Sequence, residues 1–107
     1  MSYPGEFELL VLLAILRLED EAYGVTIREE LEKETSRTLT LGAVYKTLGR
    51  MEIKGYVETS VAPPTRERGG RRKKLYTLTP AGKAAARRSL ADLRQLTQGM
   101  DPGFGVP

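Results

Sequence analysis

Apolar residues crowd the first part of the chain in a run that leaves almost no polar face. Between residues 6 and 18 the apolar positions are Phe7, Leu9, Leu10, Val11, Leu12, Leu13, Ile15, Leu16 and Leu18. A helix that is apolar on nearly every side needs more than one covering surface. We therefore expect a first helix over residues 6–18, with one face in the domain core and the other available to a second subunit. The alternative is a central core helix that its own domain covers on all sides.

A second helix is expected to open at Tyr23 and Gly24 and to run to about Thr35. Charged residues fill most of it, and its two inward positions, four residues apart, are Ile27 and Leu31. The connection that follows is slightly long for a simple helix-turn-helix. We expect Thr38 and Leu39 within it to pair as a very short extra strand.

The third helix follows this connection, with Thr40 as its N-cap and Gly55 as its left-handed end. Its apolar positions recur at spacings of three, four and three, which is the period of a half-buried helix. These inward positions are Leu41, Val44, Leu48 and Met51.

Two short runs with alternating apolar and polar residues come next, at residues 56–61 and 75–78. This alternation is typical of half-buried strands. Between them, residues 66–74 read RERGGRRKK and hold six basic side chains against one Glu. A hairpin tip of this composition cannot bury itself and must project into solvent.

A fourth helix is predicted from Thr79, as N-cap, and Pro80, in the first turn, to about Gln98. Its expected apolar positions are Ala81, Ala84, Ala85, Leu90, Leu93 and Leu96. Residues 99–107 hold three Gly and two Pro and are expected to form a flexible tail.

The predicted order of helix, helix, helix, strand, basic loop, strand, helix is that of a winged helix-turn-helix. The fold class is therefore mainly α (α+β), with an N-terminal helix and an added C-terminal helix. One domain is expected over residues 1–98, including a dimerisation helix at about residues 80–98.

Composition excludes most catalytic and metal-binding chemistry. Among the 107 residues there is no Cys and no His, so thiolate and imidazole ligands and the commonest general base are missing. No Walker loop is present either, and we expect no enzymatic activity, no cofactor and no metal site. The apolar stretch at residues 9–16 is shorter than the roughly 20 residues that cross a bilayer. It also lacks the flanks of a signal peptide, so a cytoplasmic protein is expected.

The net charge of +3 conceals an uneven distribution along the chain. Residues 1–36 carry three basic and nine acidic groups, whereas residues 37–107 carry fourteen basic and five acidic groups. The surface that meets a partner should therefore lie in the second part, and a basic surface favours nucleic acid.

The exposed row of the third helix supplies the first set of candidate DNA contacts. Arg and Lys side chains can reach guanine acceptors in the major groove or bind phosphates, and the sequence leaves both roles open. The tyrosine in this set can donate to a phosphate or pack its ring on the second helix, and the threonine can be a plain cap. The candidates are Thr40, Gly42, Tyr45, Lys46 and Arg50.

The loop between the two strands, at about residues 62–74, supplies a second set. Its basic side chains are proposed as clamps on the DNA backbone, because a wing that directly follows a basic third helix lies where phosphates would be. An ordinary solvated charge run is the alternative. The candidates are Arg66, Arg68, Gly69, Gly70, Arg71, Arg72, Lys73 and Lys74.

Outside these two sets, Tyr23 at the start of the second helix can touch the DNA backbone with its hydroxyl or pack in the core. Apolar residues of the first and last helices are proposed as dimer contacts, with packing inside one subunit as the alternative. These residues are Leu9, Leu13, Leu90, Leu93 and Leu96. A small-molecule effector of unknown identity is expected in a cavity at the dimer interface, lined by Leu9, Leu13, Leu90 and Leu93.

Ordered sequence blocks between about residues 5 and 90 resemble the PadR family of bacterial transcriptional regulators, in its short, single-domain form. The blocks are ELLVL at 8–12, AYGVTI at 22–27, LGAVYKTL at 41–48, RME at 50–52, KGYV at 54–57, GRRKKLY at 70–76 and LTPAG at 78–82. The resemblance implies a homodimeric repressor with the third helix in the major groove, the wing on the adjacent backbone and the last helix joining the subunits. Two positions depart from the family pattern: Lys46 replaces a frequent Pro, and Ile53 stands where polar residues are more common.

The residues and the resemblance together favour a dimeric repressor of pseudo-palindromic double-stranded DNA. A winged-helix module that docks an acidic protein partner is the alternative, because winged helices serve both purposes. A DNA titration separates the two hypotheses.

Overall fold

The periodicities of the sequence become four α-helices and a two-stranded sheet in the parts of the chain that the computed structural model describes, residues 3–61 and 73–100. The helices are α1 (Glu6–Leu18), α2 (Gly24–Glu34), α3 (Leu41–Ile53) and α4 (Pro80–Thr97). The strands are β1 (Val57–Val61) and β2 (Lys74–Leu78), and a 3₁₀ turn at Glu19–Glu21 joins α1 to α2. The predicted element order is confirmed.

Helix α1 is the centre of the domain and packs against α2, α3, α4 and β2. Val11 and Leu12 are completely buried, and Ala14 and Ile15 are nearly so. Leu16, by contrast, is 43% exposed, so the outer side of α1 is left partly uncovered in the single chain. In the described ranges, no helix is both long and apolar enough to cross a membrane.

Helices α2 and α3 meet over α1 through the inward positions that the periodicity predicts. Ile27, Val44, Leu48 and Met51 are completely buried. Thr40 caps α3, because its hydroxyl accepts a hydrogen bond from the Ala43 N–H at 3.1 Å. The predicted strand at Thr38 and Leu39 is wrong. Leu39 instead donates its backbone N–H to the Glu32 carboxylate at 2.8 Å, so a side chain of α2 occupies the donor that a strand would have paired.

The two strands pair antiparallel, with Val57 opposite Leu78 and Val61 opposite Lys74. Alternation places Tyr76 and Leu78 in the core and leaves Thr77 outside. The Tyr76 N–H also donates to the Ala22 carbonyl at 2.9 Å, which ties the sheet to the residue just before α2. The base of the hairpin is thereby fixed beside the N-terminus of α2.

Helix α4 begins as predicted, with Pro80 in its first turn and the Thr79 hydroxyl accepting from the Gly82 N–H at 3.0 Å. Of its predicted apolar positions, Ala85 is buried, Ala84 is half-buried, and Ala81 and the three leucines proposed as dimer contacts are exposed in the single chain. The buried row is Gly82, Ala85, Ala86 and Ser89.

Candidate nucleic-acid interface

The exposed face of α3 lies opposite its buried row. At about 3.6 residues per turn, the centre of this face runs through positions 42, 46, 49 and 53, and Tyr45 and Arg50 border it on either side. Gly42, Lys46 and Arg50 are exposed, as the periodicity predicts. Ile53 is 88% exposed and ends the row.

Tyr45 packs its ring on the second helix, and the residue nevertheless remains 45% exposed. A Cβ atom at Gly24 would lie only 2.4 Å from both the Cζ and the hydroxyl oxygen of Tyr45. Because Gly24 has no side chain, the ring of Tyr45 can pack against the N-terminus of α2. No pattern within either helix indicates this contact, although both residues stand in the sequence blocks quoted above.

An open concavity of about 540 Å³ connects α2, α3 and the base of the hairpin. It is lined by Tyr23, Gly24, Val25, Thr26, Tyr45, Lys73 and Lys74. The structure thus brings together, from three separate segments, four residues that the sequence proposes as DNA contacts: the two tyrosines and the two lysines. The remaining three, Gly24, Val25 and Thr26, form the first turn of α2.

The N-terminus of α2 lies at this concavity, and the positive dipole ends of α2 and α3 have no acidic side chain in the first turn to compensate them. Neither helix has an Asp or Glu in its first turn, whereas α1 has both Glu6 and Glu8 there. Acidic side chains in a first turn would repel an incoming phosphate, and free amides attract it. Thr26 satisfies one donor by accepting from the Tyr23 N–H at 2.8 Å.

The two lysines at the base of the wing stand over aromatic rings. The Lys73 ammonium lies 5.1 Å from the centre of the Tyr23 ring, and that of Lys74 lies 5.8 Å from the Tyr76 ring. Lys74 also pairs with Glu52 of α3 at 3.6 Å, a contact that sequence reasoning missed. Part of the Lys74 charge is therefore neutralised, and Lys73 is the freer candidate for a phosphate contact.

Tyr76 lies beneath this group, and burial raises the pKa of its hydroxyl, with smaller contributions from the charge of Glu52 and from Tyr45. The hydroxyl therefore stays protonated at neutral pH. Tyr76 therefore offers an uncharged aromatic ring to the ammonium of Lys74.

Arg50 lies on the opposite border of the α3 face and leans toward α1. Its Nη2 donates to the Thr47 hydroxyl at 3.3 Å, and its charge contributes to the electrostatic environment of Glu8. Glu8 is buried in the apolar helix α1 and receives two hydrogen bonds of 2.9 Å from the Lys54 ammonium. This pair, also missed from sequence, attaches the C-terminal end of α3 to α1.

The pKa of Glu8 reflects opposing influences. Burial of the carboxyl raises it, but hydrogen bonds from Lys54 and from the Gly5 N–H, together with the charges of Lys54 and Arg50, outweigh burial. The net result is a pKa below the ordinary value of 4.5. Glu8 is therefore ionised at neutral pH, and its charge is satisfied internally.

Most of the predicted wing contacts lie outside the described residues. These are Arg66, Arg68, Gly69, Gly70, Arg71 and Arg72. In the described segments, no group of three carboxylate, imidazole or thiolate side chains comes together in a way that could hold a metal ion.

The predicted dimer residues divide into two groups. Leu90, Leu93 and Leu96 form a ridge on α4 that is 39%, 51% and 72% exposed, in that order. Leu9 and Leu13 of α1 are half-buried. Within one chain, Leu13 and Leu90 line separate shallow grooves.

A family model described as the Transcriptional regulator PadR-like family matches residues 12–88. Among curated proteins, no significant sequence match is found.

Solved structures share the fold. A PadR family transcription regulator from hypervirulent Clostridium difficile R20291 is 25% identical, with a TM-score of 0.72 over 94% of this chain and 99% of that one. A padr family transcriptional regulator from Eggerthella lenta DSM 2243 is 24% identical, with a TM-score of 0.64 over 88% of this chain and 81% of that one. Bacillus subtilis PadR, in complex with operator DNA, is 18% identical, with a TM-score of 0.63 over 79% of this chain and 46% of that longer chain.

Proposed function

Because the chain belongs to the PadR-like family of transcriptional regulators, we propose that it is a homodimeric repressor that binds a pseudo-palindromic operator through α3 and the basic wing. One observation carries the proposal. The exposed face of α3 continues across the concavity at the N-terminus of α2 to the lysines at the base of the wing. A single surface thus offers a helix for a groove and cations for the adjacent backbone.

In this proposal α3 enters the major groove. Lys46, at the centre of the exposed face, reaches base edges, and Arg50 reaches either a base or a phosphate from the border. Thr40 and Gly42 bring the first turn of α3 close to a phosphate, where the helix dipole favours negative charge. Tyr23 and Tyr45 donate their hydroxyls to the backbone from the concavity.

The wing, at residues 62–74, lies along the neighbouring phosphates. Its arginines and lysines bind without reading sequence, so they contribute affinity and salt dependence rather than specificity. The position of the Lys73 ammonium, 5.1 Å from the centre of the Tyr23 ring, supports this part of the proposal.

The leucine ridge of α4 joins the two subunits, together with α1. Three leucines that remain 39%, 51% and 72% exposed in the single chain supply an apolar surface of the kind that a second copy buries. A two-fold axis would then present two α3 helices to half-sites about 10 bp apart, or a multiple of that spacing. We assign the protein to the cytoplasm, where such a repressor meets its DNA.

The test is selection of preferred duplexes from fragments of the source genome, followed by anisotropy titrations at several salt concentrations. Affinity should fall with a log-log slope of about −0.9 per phosphate neutralised. Lys46→Ala should weaken the preferred duplex by about 10-fold or more, and Arg50→Ala should relax preference at particular bases. Replacing Arg71 and Arg72 together should weaken all duplexes alike.

Lys83→Ala is the matched control for Lys46→Ala. Lys83 is exposed on α4 beside Leu78, at the end of β2 away from Lys74. Its removal takes away one positive charge without touching the proposed surface, so affinity should hold. If every duplex binds equally well, the chain is not a sequence-specific repressor, and an acidic protein partner becomes the better hypothesis.

A further inference from the structure

Gly49 lies in the middle of α3, on its exposed face, at a position where neither close packing nor backbone conformation requires a glycine. Nothing in the described part of the chain comes within 4 Å of the position that its Cβ would occupy. Its φ lies outside the positive range in which glycine is favoured. A glycine inside a helix lowers helix stability relative to alanine, so the reason for this residue lies outside the subunit.

Ile53 follows Gly49 by one turn on the same line of the helix surface. It is the most exposed of the large apolar residues that the structure describes, at 88%. Helical side chains tilt toward the N-terminus of their helix and cover the turn before them. The isoleucine therefore borders the open surface at Gly49, with none of its side-chain atoms within 4 Å of the position of the missing Cβ. The two residues form an apolar strip.

This strip has a fixed position. Lys54, the next residue after Ile53, is hydrogen-bonded to the buried Glu8, and so the end of α3 is held against α1. Arg50 lies on one side of the strip, and the preceding turn of the exposed row carries Lys46. Glu52, which pairs with Lys74, lies on the other side, so the strip is an uncharged patch between charged residues.

An apolar patch without donors cannot bind a phosphate or the polar edge of a base. The apolar feature that duplex DNA presents in its major groove is the C5-methyl group of thymine. A side chain at position 49 would hold the helix away from the base edge, whereas glycine allows close approach.

We propose that Gly49 and Ile53 form a specificity subsite that receives the C5-methyl group of one thymine in each operator half-site. The inference rests on the proposed function, because it requires α3 to lie in the major groove. Lys46 and Arg50 then contact polar groups nearby, and the strip distinguishes thymine from cytosine at its own position.

The experiment uses the full-length protein and its preferred duplex, with each thymine of a half-site replaced in turn by uracil, which lacks only the methyl group. One replacement should weaken binding of the native protein by about 4-fold per half-site, the value of one buried methyl-sized group. The Ile53→Ala variant should bind the thymine duplex more weakly and should no longer distinguish uracil from thymine at that position.

Gly49→Ala supplies a second measurement, because a variant that is more stable than the native protein cannot lose affinity through misfolding. The melting temperature should rise, because alanine favours the helix and meets open space, yet affinity for the preferred duplex should fall. Tighter or unchanged binding by Gly49→Ala would overturn the close approach of the helix.

The outcomes separate this inference from the proposed function. A protein without a preferred duplex refutes both. A protein that selects a duplex but loses no affinity at any uracil, or that loses the same affinity in the Ile53→Ala variant, refutes the thymine subsite alone.

Discussion

At the residue scale, the contact between Gly24 and Tyr45 determines the position of the Tyr45 hydroxyl, a candidate hydrogen-bond donor to a DNA phosphate. A methyl group at position 24 would collide with the far end of the Tyr45 ring, at 2.4 Å. The end of a flexible side chain can move aside, so Gly24→Ala should cost little stability and should instead displace the phenol from the concavity. We expect weaker binding to every duplex, measured by anisotropy.

A double-mutant cycle makes this prediction specific. In a Tyr45→Ala background no ring remains to be displaced, so adding Gly24→Ala should have little further effect on affinity. If the two losses simply add, Gly24 acts on DNA binding by a route that does not involve Tyr45.

The ionisation of Glu8 predicts how the free energy of unfolding depends on pH. Its pKa in the folded protein is lowered, so the carboxylate adds stability above its unfolded pKa and loses that contribution as pH falls through the folded pKa. Glu8→Gln should lower the free energy of unfolding at neutral pH by about 1–3 kcal/mol. The gap between the two proteins should stay constant down to about pH 5 and then narrow below the ordinary carboxyl pKa.

Urea unfolding at a series of pH values measures that gap. Glu6→Gln is the matched control, since Glu6 lies in the same first turn of α1 and pairs with Arg37, but its side chain is 81% exposed. An exposed pair contributes little, so this variant should change the free energy of unfolding much less. A gap for Glu8→Gln that widens in acid would contradict the assigned direction of the pKa.

At the element scale, the packing of α4 on the hairpin depends on Gly82. A Cβ atom there would lie 2.0 Å from the Tyr56 carbonyl oxygen, which already accepts the Thr79 N–H at 3.0 Å. Main chain cannot step aside as a side chain can, so Gly82→Ala should force α4 away and cost about 1–3 kcal/mol or more in denaturant unfolding.

Gly49→Ala is the opposite case and serves as the control for Gly82→Ala. It places the same methyl group on a helix where nothing in the described chain is near, and should stabilise the protein by about 0.5–1 kcal/mol. If both variants shift the unfolding midpoint alike, close packing at Tyr56 does not set the position of α4.

These two glycines also show which parts of the fold the sequence can predict. Local periodicity and caps place α1 at residues 6–18 and start α4 at Pro80, and both are confirmed. The rotation of α4 is harder to predict: Ala81 is exposed and Gly82 is buried, because alanine suits either face of a helix and the long-range contact of Gly82 with Tyr56 determines which face is covered.

The same distinction applies to the candidate site. Periodicity alone predicts that Lys46 and Arg50 are exposed. The ion pairs of Glu8 with Lys54 and of Glu52 with Lys74 join residues from different elements, so no local pattern indicates them. Tyr45 and Tyr23 were candidates from sequence, but the concavity that unites them forms only when three segments meet.

At the scale of the whole molecule, the uneven charge of the chain becomes an arrangement in space. Acidic residues are concentrated in the first 36 positions, yet none lies in the first turn of α2 or α3. On α2, Glu30 and Glu34 pair with Arg17, at 2.6 Å and 3.5 Å. The first turns of α2 and α3 therefore carry no acidic side chain that would repel a phosphate.

Assembly gives the last prediction. In the single chain Leu93 is 51% exposed, so Leu93→Glu should leave the fold intact, because glutamate is also a good helix former. If two copies bury this residue, each dimer loses two leucine contacts and gains two desolvated charges, so the dimer dissociation constant should rise about 100-fold or more.

Sedimentation velocity over a range of protein concentrations measures this change, with Ala91→Glu as the control. Ala91 is exposed on the same helix but points away from the leucine ridge, so the same added charge there should leave the dimer intact. Binding to a duplex with two half-sites should collapse for Leu93→Glu, while binding to one isolated half-site persists. A Leu93→Glu protein that remains dimeric would show that the subunits meet elsewhere, and the spacing expected between half-sites would then have to be derived from another face.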